Sequence, residues 1–288
     1  MIENDGRVTV IGDLRARFDE AREAYAVAAP FPHVVLDNVL PADVFANAIA
    51  EFPSIDDPSW KGYLHVNETK FANPVSDTWG STLQAIADAF CSDDFVKWLS
   101  GLTGFEHLIA DPSMDGGGLH HTLQGGHLNV HADFTTHHRH RTWRRRINIL
   151  LYLNESWSPD WGGALELWDS DVRTCIKRVE PLANRMLIFT TSGDAYHGHP
   201  DPLQCPEGVS RRSLALYYFT VEERPSRRST KYRPRPGDGA KGVAIWIDRR
   251  MLSLYDTAKT RLKLSDQFAS RTLGFAHRLT ARVRNRRH

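Results

Sequence analysis

The sequence predicts a mainly β core, either a barrel or a double sheet, with helices before and after it. Short β-prone runs alternate with turn signals between residues 104 and 221, among them HLNVHADF, RINILLYLN, RMLIFTT and RRSLALYYFT. Many short strands joined by Gly-rich turns are typical of all-β barrels and sandwiches. Apolar residues recur at helical spacing in ADVFANAIAEF and again near the C-terminus, which adds the flanking helices.

Composition excludes several classes of protein. Of the 288 residues, 41% are hydrophobic and 25% are charged, and the net charge is +1. This balance gives no reason to expect a nucleic acid or a membrane surface as partner. No apolar run approaches the roughly 18 residues of a membrane span, and the start, MIENDGRVTV, does not resemble a signal peptide. Because Cys91, Cys175 and Cys205 form no CxxC pair, we expect reduced thiols and a cytoplasmic location.

The pattern divides the chain into three regions. Residues 1–103 predict an N-terminal α/β region that packs on the core. Residues 104–221 form the β core, in which the nearly continuous apolar run RINILLYL predicts a central strand buried on both faces. Residues 222–288 begin as a Pro-, Gly- and Arg-rich linker and continue as two helical patterns, at 249–263 and 265–283.

One strand carries two candidate metal ligands. In HLNVHAD, His131 and Asp133 are two residues apart, and residues i and i+2 of a strand point to the same face. With a third ligand from a distant strand, they would form the two-His, one-carboxylate set of non-haem Fe(II) oxygenases. The segment AYHGHP, just after RMLIFTT, offers His197 or His199 as that ligand.

An arginine at the start of an apolar strand predicts an anionic ligand. RRSLALYYFT begins with Arg211 and Arg212, and only one of these adjacent residues can point into a barrel. An unpaired buried charge is very costly. The inward arginine therefore requires a carboxylate, which a guanidinium can bind through two parallel hydrogen bonds. The same alternation places Asn148, Leu150 and Tyr152 on one face of RINILLYLN.

The chain resembles the Fe(II)/2-oxoglutarate-dependent oxygenases of the prolyl 4-hydroxylase-like branch. The resemblance covers roughly residues 104–221 and rests on an ordered series: HAD at 131–133, LLYLNESW, WGGALELW, RMLIFTTS leading to YHGHP, and RRSLALYY. It implies a double-stranded β-helix, that is, a jelly-roll or cupin-like barrel. It also implies a dioxygenase that hydroxylates a C–H bond and releases succinate and CO2, using Fe(II), 2-oxoglutarate as co-substrate, O2 and, as an optional further cofactor, ascorbate.

The resemblance assigns metal ligands by position. His131, Asp133 and His197 match the ligand positions of the family. His197 is preferred over His199 because the family's ligand directly follows the short turn that ends the preceding strand. No catalytic residue beyond these ligands is predicted.

The resemblance also assigns the 2-oxoglutarate site. Arg211 matches the first residue of the family's Arg-x-Ser pattern, whose arginine binds the distal carboxylate of 2-oxoglutarate. On this basis Arg211 is preferred over Arg212. Tyr152, within YLN, matches a position from which a tyrosine hydroxyl reaches the same carboxylate in some relatives.

A basic patch follows the strand that carries His131. It consists of HHRHR at 137–141 and of Arg144, Arg145 and Arg146. We expect a solvated loop here, and the alternative is an entrance that attracts an anionic substrate.

The substrate and the rival functions remain open at the level of sequence. The resemblance suggests an amino-acid, prolyl/peptidyl or natural-product substrate, and a dimer is one option for the oligomeric state. One rival is a non-redox metal-binding β-barrel, which would have no use for Arg211. The other is a zinc hydrolase with the same ligands, which would need a general base, although the sequence has no HExxH pattern.

Overall fold

Thirteen strands and four α-helices lie within the described part of the computed structural model, which comprises residues 14–223, 230–239, 241–243 and 245. The helices are α1 (Phe18–Val27), α2 (Ala42–Ala50), α3 (Ser81–Cys91) and α4 (Asp93–Thr103). The strands are β1 (His33–Asp37), β2 (Lys61–His65), β3 (Glu68–Asn73), β4 (Ile109–Ala110), β5 (Gly118–Thr122), β6 (His127–Ala132), β7 (Trp143–Tyr152), β8 (Leu165–Trp168), β9 (Cys175–Val179), β10 (Arg185–Thr190), β11 (His197–His199), β12 (Arg211–Val221) and β13 (Lys231–Tyr232).

All strands join one antiparallel sheet in the order β1-β10-β7-β12-β5-β3-β6-β11-β8-β9. β2 pairs with β3, β4 with β12 and β13 with β6. Strands that are distant in this order face each other: Asn148 of β7 donates to Asp133 after β6, and the ring of Phe189 in β10 lies 4.8 Å from that of His197 in β11. The sheet therefore folds over a cavity, which confirms the predicted jelly-roll core.

β7 shows how the sequence pattern builds both sides of this sheet. It lies between β10 and β12 and is buried along most of its length, as its apolar sequence predicts. Ile147, Ile149 and Leu151 are fully buried and belong to a core cluster shared with the helices. Asn148 and Leu150, which alternate with them, line the cavity. One strand thus supplies the core with one face and the cavity with the other.

The helices cover the outer face of this core. α4 begins at a cap in which the Ser92 hydroxyl accepts a hydrogen bond from the Phe95 amide at 3.3 Å. It ends at Gly104, whose φ of 75° is the left-handed conformation that favours glycine. The face between these ends packs into the core through Phe95, Leu99 and Leu102. None of the helices in the described ranges is both long and apolar enough to cross a membrane.

The N-terminal region contributes more strands than the sequence predicts. β1, expected from FPHVVL, pairs with β10, and the β2–β3 hairpin, which the pattern does not reveal, pairs through β3 with β5 and β6. The division into residues 1–103, 104–221 and 222–288 stays a prediction. The helical patterns at 249–263 and 265–283 lie outside the described residues.

Replacing Ile149 by alanine should destabilise the fold by about 2–5 kcal/mol, because it removes buried methyl groups and leaves a cavity. Ile149 is 0% exposed and sits between Ile188 of β10 and Leu216 of β12. Ile176→Ala is the matched control, since Ile176 is 46% exposed and its loss should change stability by about 0.5 kcal/mol. Urea unfolding followed by circular dichroism measures both, and equal losses would contradict this packing.

Candidate active site

The side chains of His131, Asp133 and His197 meet in the cavity inside the folded sheet. β6 ends one residue before Asp133, and β11 begins at His197, which pairs with His131 across the two strands. His131 Nε2 lies 3.4 Å from Asp133 Oδ1, and His197 Nε2 lies 3.4 Å from Asp133 Oδ2. One ligand atom from each residue lies within 4.8 Å of the others, a separation that one shared metal ion can bridge.

Both imidazoles turn their Nε2 atoms toward this point. His131 Nδ1 donates to the carbonyl of Asn129 at 2.9 Å, and His197 Nδ1 donates to the carbonyl of Ala195 at 3.0 Å. In a neutral ring this leaves the Nε2 lone pair free, which is the usual arrangement of metal-binding histidines. Burial lowers the pKa of His197 to about 4, so its ring is neutral at physiological pH. The donor set therefore fits a divalent metal such as Fe(II).

The Asp133 carboxylate is held by two donors from β7. Asn148 Nδ2 donates to Oδ2 at 2.7 Å, and Arg145 Nη2 lies 3.2 Å from the same oxygen. Although burial raises the pKa of Asp133, the nearby charge of Arg145 lowers it well below its usual value. Asn148 Oδ1 in turn accepts from Arg145 Nε at 2.5 Å and from the Thr191 hydroxyl at 3.1 Å. This network fixes the orientation of an ionised carboxylate.

Asn148→Leu should weaken metal binding about 10- to 100-fold, the range typical for loss of a partner that orients a ligand. The reason is that Asp133 loses its shortest hydrogen bond while the cavity wall keeps a side chain of similar size. Calorimetric titration with Mn(II) or Zn(II) measures the effect without turnover. Thr191→Val is the control, because Thr191 contacts Asn148 but makes no hydrogen bond to Asp133. Unchanged metal affinity in Asn148→Leu would count against the network.

Arg211 enters the cavity away from this network. It is 5% exposed, its Nε donates to the carbonyl of Gly163 at 2.8 Å, and its Nη2 donates to the Tyr152 hydroxyl at 3.2 Å. Burial lowers the pKa of Arg211. Its hydrogen-bond partners are a carbonyl and a hydroxyl, and among the described lining residues of the cavity Asp133 is the one with a carboxylate. A buried cation of this kind fits one end of a dicarboxylate such as 2-oxoglutarate.

Arg212 lies on the other face of β12. Its guanidinium carbon is 5.1 Å from the centre of the Phe52 ring, and its Nε donates to the Ser210 hydroxyl at 3.2 Å. The structure thus places Arg211, and not Arg212, in the cavity, as the Arg-x-Ser pattern predicts. The strand register agrees, since Ser213 pairs with Tyr152 and brings the Arg211 and Tyr152 side chains together.

His199 lines the same cavity but does not join the three-residue group. Its ring is 4% exposed, and burial lowers its pKa well below the usual value. Nδ1 of His199 has no hydrogen-bond partner within the described residues. The geometry therefore brings His197 to Asp133 and leaves His199 as a neutral wall residue.

Three residues of the cavity are not predicted from the sequence as residues of the site. Lys70 comes from the unpredicted β2–β3 hairpin, and Arg145 belongs to a patch that the sequence assigns to solvent. Arg145 is in fact 1% exposed, because successive β7 side chains alternate and Arg144 and Arg146 take the outer positions. Asn148 is predicted to share a face with Tyr152, but nothing in the sequence indicates its bond to Asp133. Alternation along β7 is the signal that could have found Arg145.

The remaining lining of the cavity is mixed. Its apolar side chains are Leu128, Leu150, Leu165 and Phe189, and polar side chains come from several strands, among them β5 and β12. The full lining is Lys70, His120, Thr122, Leu128, His131, Asp133, Arg145, Asn148, Leu150, Leu165, Phe189, His197, His199, Arg211, Ser213 and Tyr217.

A jelly-roll core with a buried His-x-Asp…His group and a separate buried arginine in one cavity defines the class: it is the arrangement of a non-haem iron oxygenase domain. Residues 117–219 match the family model described as the 2OG-Fe(II) oxygenase superfamily. In this match and in its similarity to prolyl hydroxylases, the chain agrees with the resemblance found in the sequence.

Three known proteins are similar to this chain. Mouse prolyl 3-hydroxylase OGFOD1 is 28% identical over 195 residues, which are 66% of this chain but 33% of that protein. This chain thus spans about a third of that relative's length. A Pseudomonas putida prolyl-4-hydroxylase structure has a TM-score of 0.52 at 20% identity, covering 70% of this chain and all of that one. A prolyl hydroxylase from Trichoplax adhaerens, solved with a hypoxia-inducible-factor peptide fragment, has a TM-score of 0.52 at 14% identity, covering 72% of this chain and 91% of that one. These two structures share the fold.

Proposed function

We propose that this chain is an Fe(II)- and 2-oxoglutarate-dependent dioxygenase that hydroxylates a C–H bond. The observation that carries the proposal is a single cavity that contains both a two-His, one-carboxylate group and a buried arginine without a carboxylate partner in the described residues. A metal-binding group alone would suit many proteins. The second feature is what an oxygenase of this family needs and a simple metal-binding barrel does not.

In this proposal each residue has a defined task. His131, Asp133 and His197 hold the metal, and Arg211 with Tyr152 holds the distal carboxylate of 2-oxoglutarate. Bound iron, together with 2-oxoglutarate and O2, would supply the oxidising power for hydroxylation. Succinate and CO2 would be the products of 2-oxoglutarate. The protein itself orients the ligands, and its folded sheet and apolar lining keep bulk water away from the reacting atoms.

The similar proteins restrict the range of expected substrates only in part. The similar proteins are named as prolyl hydroxylases, and one was solved with a peptide fragment. We therefore infer an amino-acid, prolyl/peptidyl or natural-product substrate for this chain. Substrate choice depends on the loops and walls of the cavity more than on the fold.

The decisive experiment has two measurements on purified protein. Anaerobic addition of Fe(II) and 2-oxoglutarate should produce a weak visible charge-transfer band, and admission of O2 should yield succinate. Ascorbate is included to keep the iron reduced. If iron binds but neither the band nor succinate appears, the oxygenase proposal is wrong. Succinate-free hydrolytic activity with Zn(II) would instead favour a hydrolase with the same ligands.

Location and assembly are further parts of the proposal. Cys91, Cys175 and Cys205 are all free thiols, and unpaired cysteines suit the reducing environment of the cytoplasm. The oligomeric state, for which a dimer is one option, is to be measured by sedimentation.

A further inference from the structure

Two cationic side chains of the cavity are neither metal ligands nor assigned to 2-oxoglutarate. Lys70 and Arg145 both line the cavity with the metal group. Under the proposed function, 2-oxoglutarate would bind Arg211 through its distal carboxylate and the metal through its 2-oxo acid end. Both ends of 2-oxoglutarate are therefore already occupied under the proposed function. Lys70 and the Nη1 nitrogen of Arg145 are left for another ligand.

Arg145 is held rigidly and keeps one donor free. Its guanidinium carbon lies 3.2 Å from the centre of the Tyr217 ring and 4.8 Å from that of Phe134. Nε and Nη2 are used by Asn148 and Asp133, but Nη1 is buried and has no partner within the described residues. A buried, unsatisfied guanidinium nitrogen is costly, so an acceptor from a ligand would relieve it.

Lys70 adds a second charge to the same region. Its Nζ lies 3.3 Å from Glu68 Oε2, and its side chain retains 16% exposure. Burial alone would lower the pKa of Lys70, but the attraction of Glu68 outweighs it and raises the pKa, so the group is an ammonium ion. Glu68 is shared, because His65 Nε2 lies 3.0 Å from its other oxygen. Both Lys70 and Arg145 act on the Tyr217 hydroxyl, lowering its pKa against the larger effect of burial.

The charges of the loaded cavity do not balance. A divalent iron and the three cations Lys70, Arg145 and Arg211 face two protein carboxylates, Asp133 and Glu68, and the two carboxylates of 2-oxoglutarate. One positive charge is left without a counterpart in a buried place, where unpaired charge is strongly unfavourable. A neutral substrate would leave this excess, whereas a monoanionic one would remove it.

We propose that Lys70 and Arg145 form a second anion subsite, and that the substrate is a small molecule whose free carboxylate binds between them. This inference rests on the proposed function, because it takes the iron and 2-oxoglutarate positions as given. The charge balance favours an N-acylated amino acid, or the C-terminal residue of a short peptide with a blocked N-terminus, because a free amino acid is a zwitterion and adds no net negative charge. A residue in the middle of a polypeptide offers no such carboxylate.

The test compares acids with their amides on protein loaded with Zn(II) and 2-oxoglutarate, which cannot turn over. Calorimetry is run with L-proline and L-prolinamide, with N-acetyl-L-proline and N-acetyl-L-prolinamide, and with the same pairs for a panel of other amino acids. For at least one pair, the acid should bind about 10- to 100-fold more tightly than the amide, the range expected for hydrogen bonds to charged groups. Equal binding of acid and amide, or no acid bound at millimolar concentration, would overturn the proposal.

Variants then assign the preference to Lys70. Lys70→Gln should reduce the acid-to-amide ratio toward one, and Lys70→Arg, which keeps the charge, should retain most of it. Lys61→Gln is the matched control, because Lys61 is an exposed lysine on the partner strand of the same hairpin. An unchanged acid-to-amide ratio in folded Lys70→Gln would contradict the subsite. If that variant does not fold, the acid-to-amide ratio of the wild-type protein still tests the proposal. Calorimetry of 2-oxoglutarate itself and succinate formation by the iron protein test the proposed function separately.

Discussion

Asp133→Asn should abolish 2-oxoglutarate turnover while the fold persists. The amide keeps the size of the side chain but lacks the negative charge that, with the two imidazoles, makes the group a site for a divalent metal. Arg145 and Asn148 would then face an uncharged oxygen instead of an ionised carboxylate. The measurements are metal content after dialysis against Fe(II) and succinate formation under O2. Retention of both iron and turnover would rule out Asp133 as a ligand.

Asp133→Ala is a less specific variant than Asp133→Asn, because it should also destabilise the fold. It removes the carboxylate that pairs with Arg145, and Arg145 is 1% exposed. Breaking a buried ion pair from one side typically costs about 3–5 kcal/mol, so this variant should also lose stability. Comparing the urea midpoints of Asp133→Asn and Asp133→Ala in metal-free protein separates the structural effect from the loss of the metal.

Histidine variants provide the matched comparison for the distal ligand. His197→Ala should lose the metal, because His197 Nε2 points at Asp133. His199→Ala should keep the metal stoichiometry, because His199 stands outside the three-residue group although it lines the same cavity. The reverse result would mean that the register of β11 differs from the one described.

Local alternation explains why so much of the site was predictable. Residues two apart on one strand share a face, so HAD, RINILLYLN and RRSLALYYFT each reveal which side chains turn inward. The structure places His131 with Asp133, and Arg211 with Tyr152, as these patterns predict. The core strands are also recovered, because short apolar runs between Gly-rich turns identify strands well.

Contacts between distant strands explain what the sequence did not reveal. Lys70 and Asn148 take their roles from neighbours far along the chain, since β3 meets β5 and β6 and β7 faces β6 only in the folded sheet. Arg145 appears within a run of three arginines whose charge suggested a solvated surface. In the fold, however, Arg145 takes an inward position of the alternating β7 side chains, and its guanidinium pairs with Asp133.

Replacing Arg211 by methionine should raise the KM for 2-oxoglutarate about 100-fold or more. Two hydrogen bonds to a charged group, at about 1.5–3 kcal/mol each, would be lost with little change in side-chain length. The metal should still bind, because the group of His131, Asp133 and His197 is untouched. Succinate formation across a range of 2-oxoglutarate concentrations measures the KM. Arg212→Met is the control and should leave it unchanged, since Arg212 lies against Phe52 on the other face of β12.

The thermal stability of Arg211→Met tests independently whether Arg211 binds the distal carboxylate of 2-oxoglutarate. In the ligand-free chain Arg211 is a buried cation whose hydrogen-bond partners are a carbonyl and a hydroxyl, and burial lowers its pKa. Replacing an uncompensated buried charge with an apolar side chain is often stabilising, so Arg211→Met should unfold at a higher temperature than the wild type without ligand. Saturating 2-oxoglutarate should then stabilise the metal-loaded wild type strongly and the variant little, because only a ligand that binds the native state shifts its stability. The opposite result would be an Arg211→Met variant that is less stable than the wild type without ligand and is stabilised by 2-oxoglutarate as much as the wild type. Arg211 would then have a structural role, and the co-substrate carboxylate would bind elsewhere.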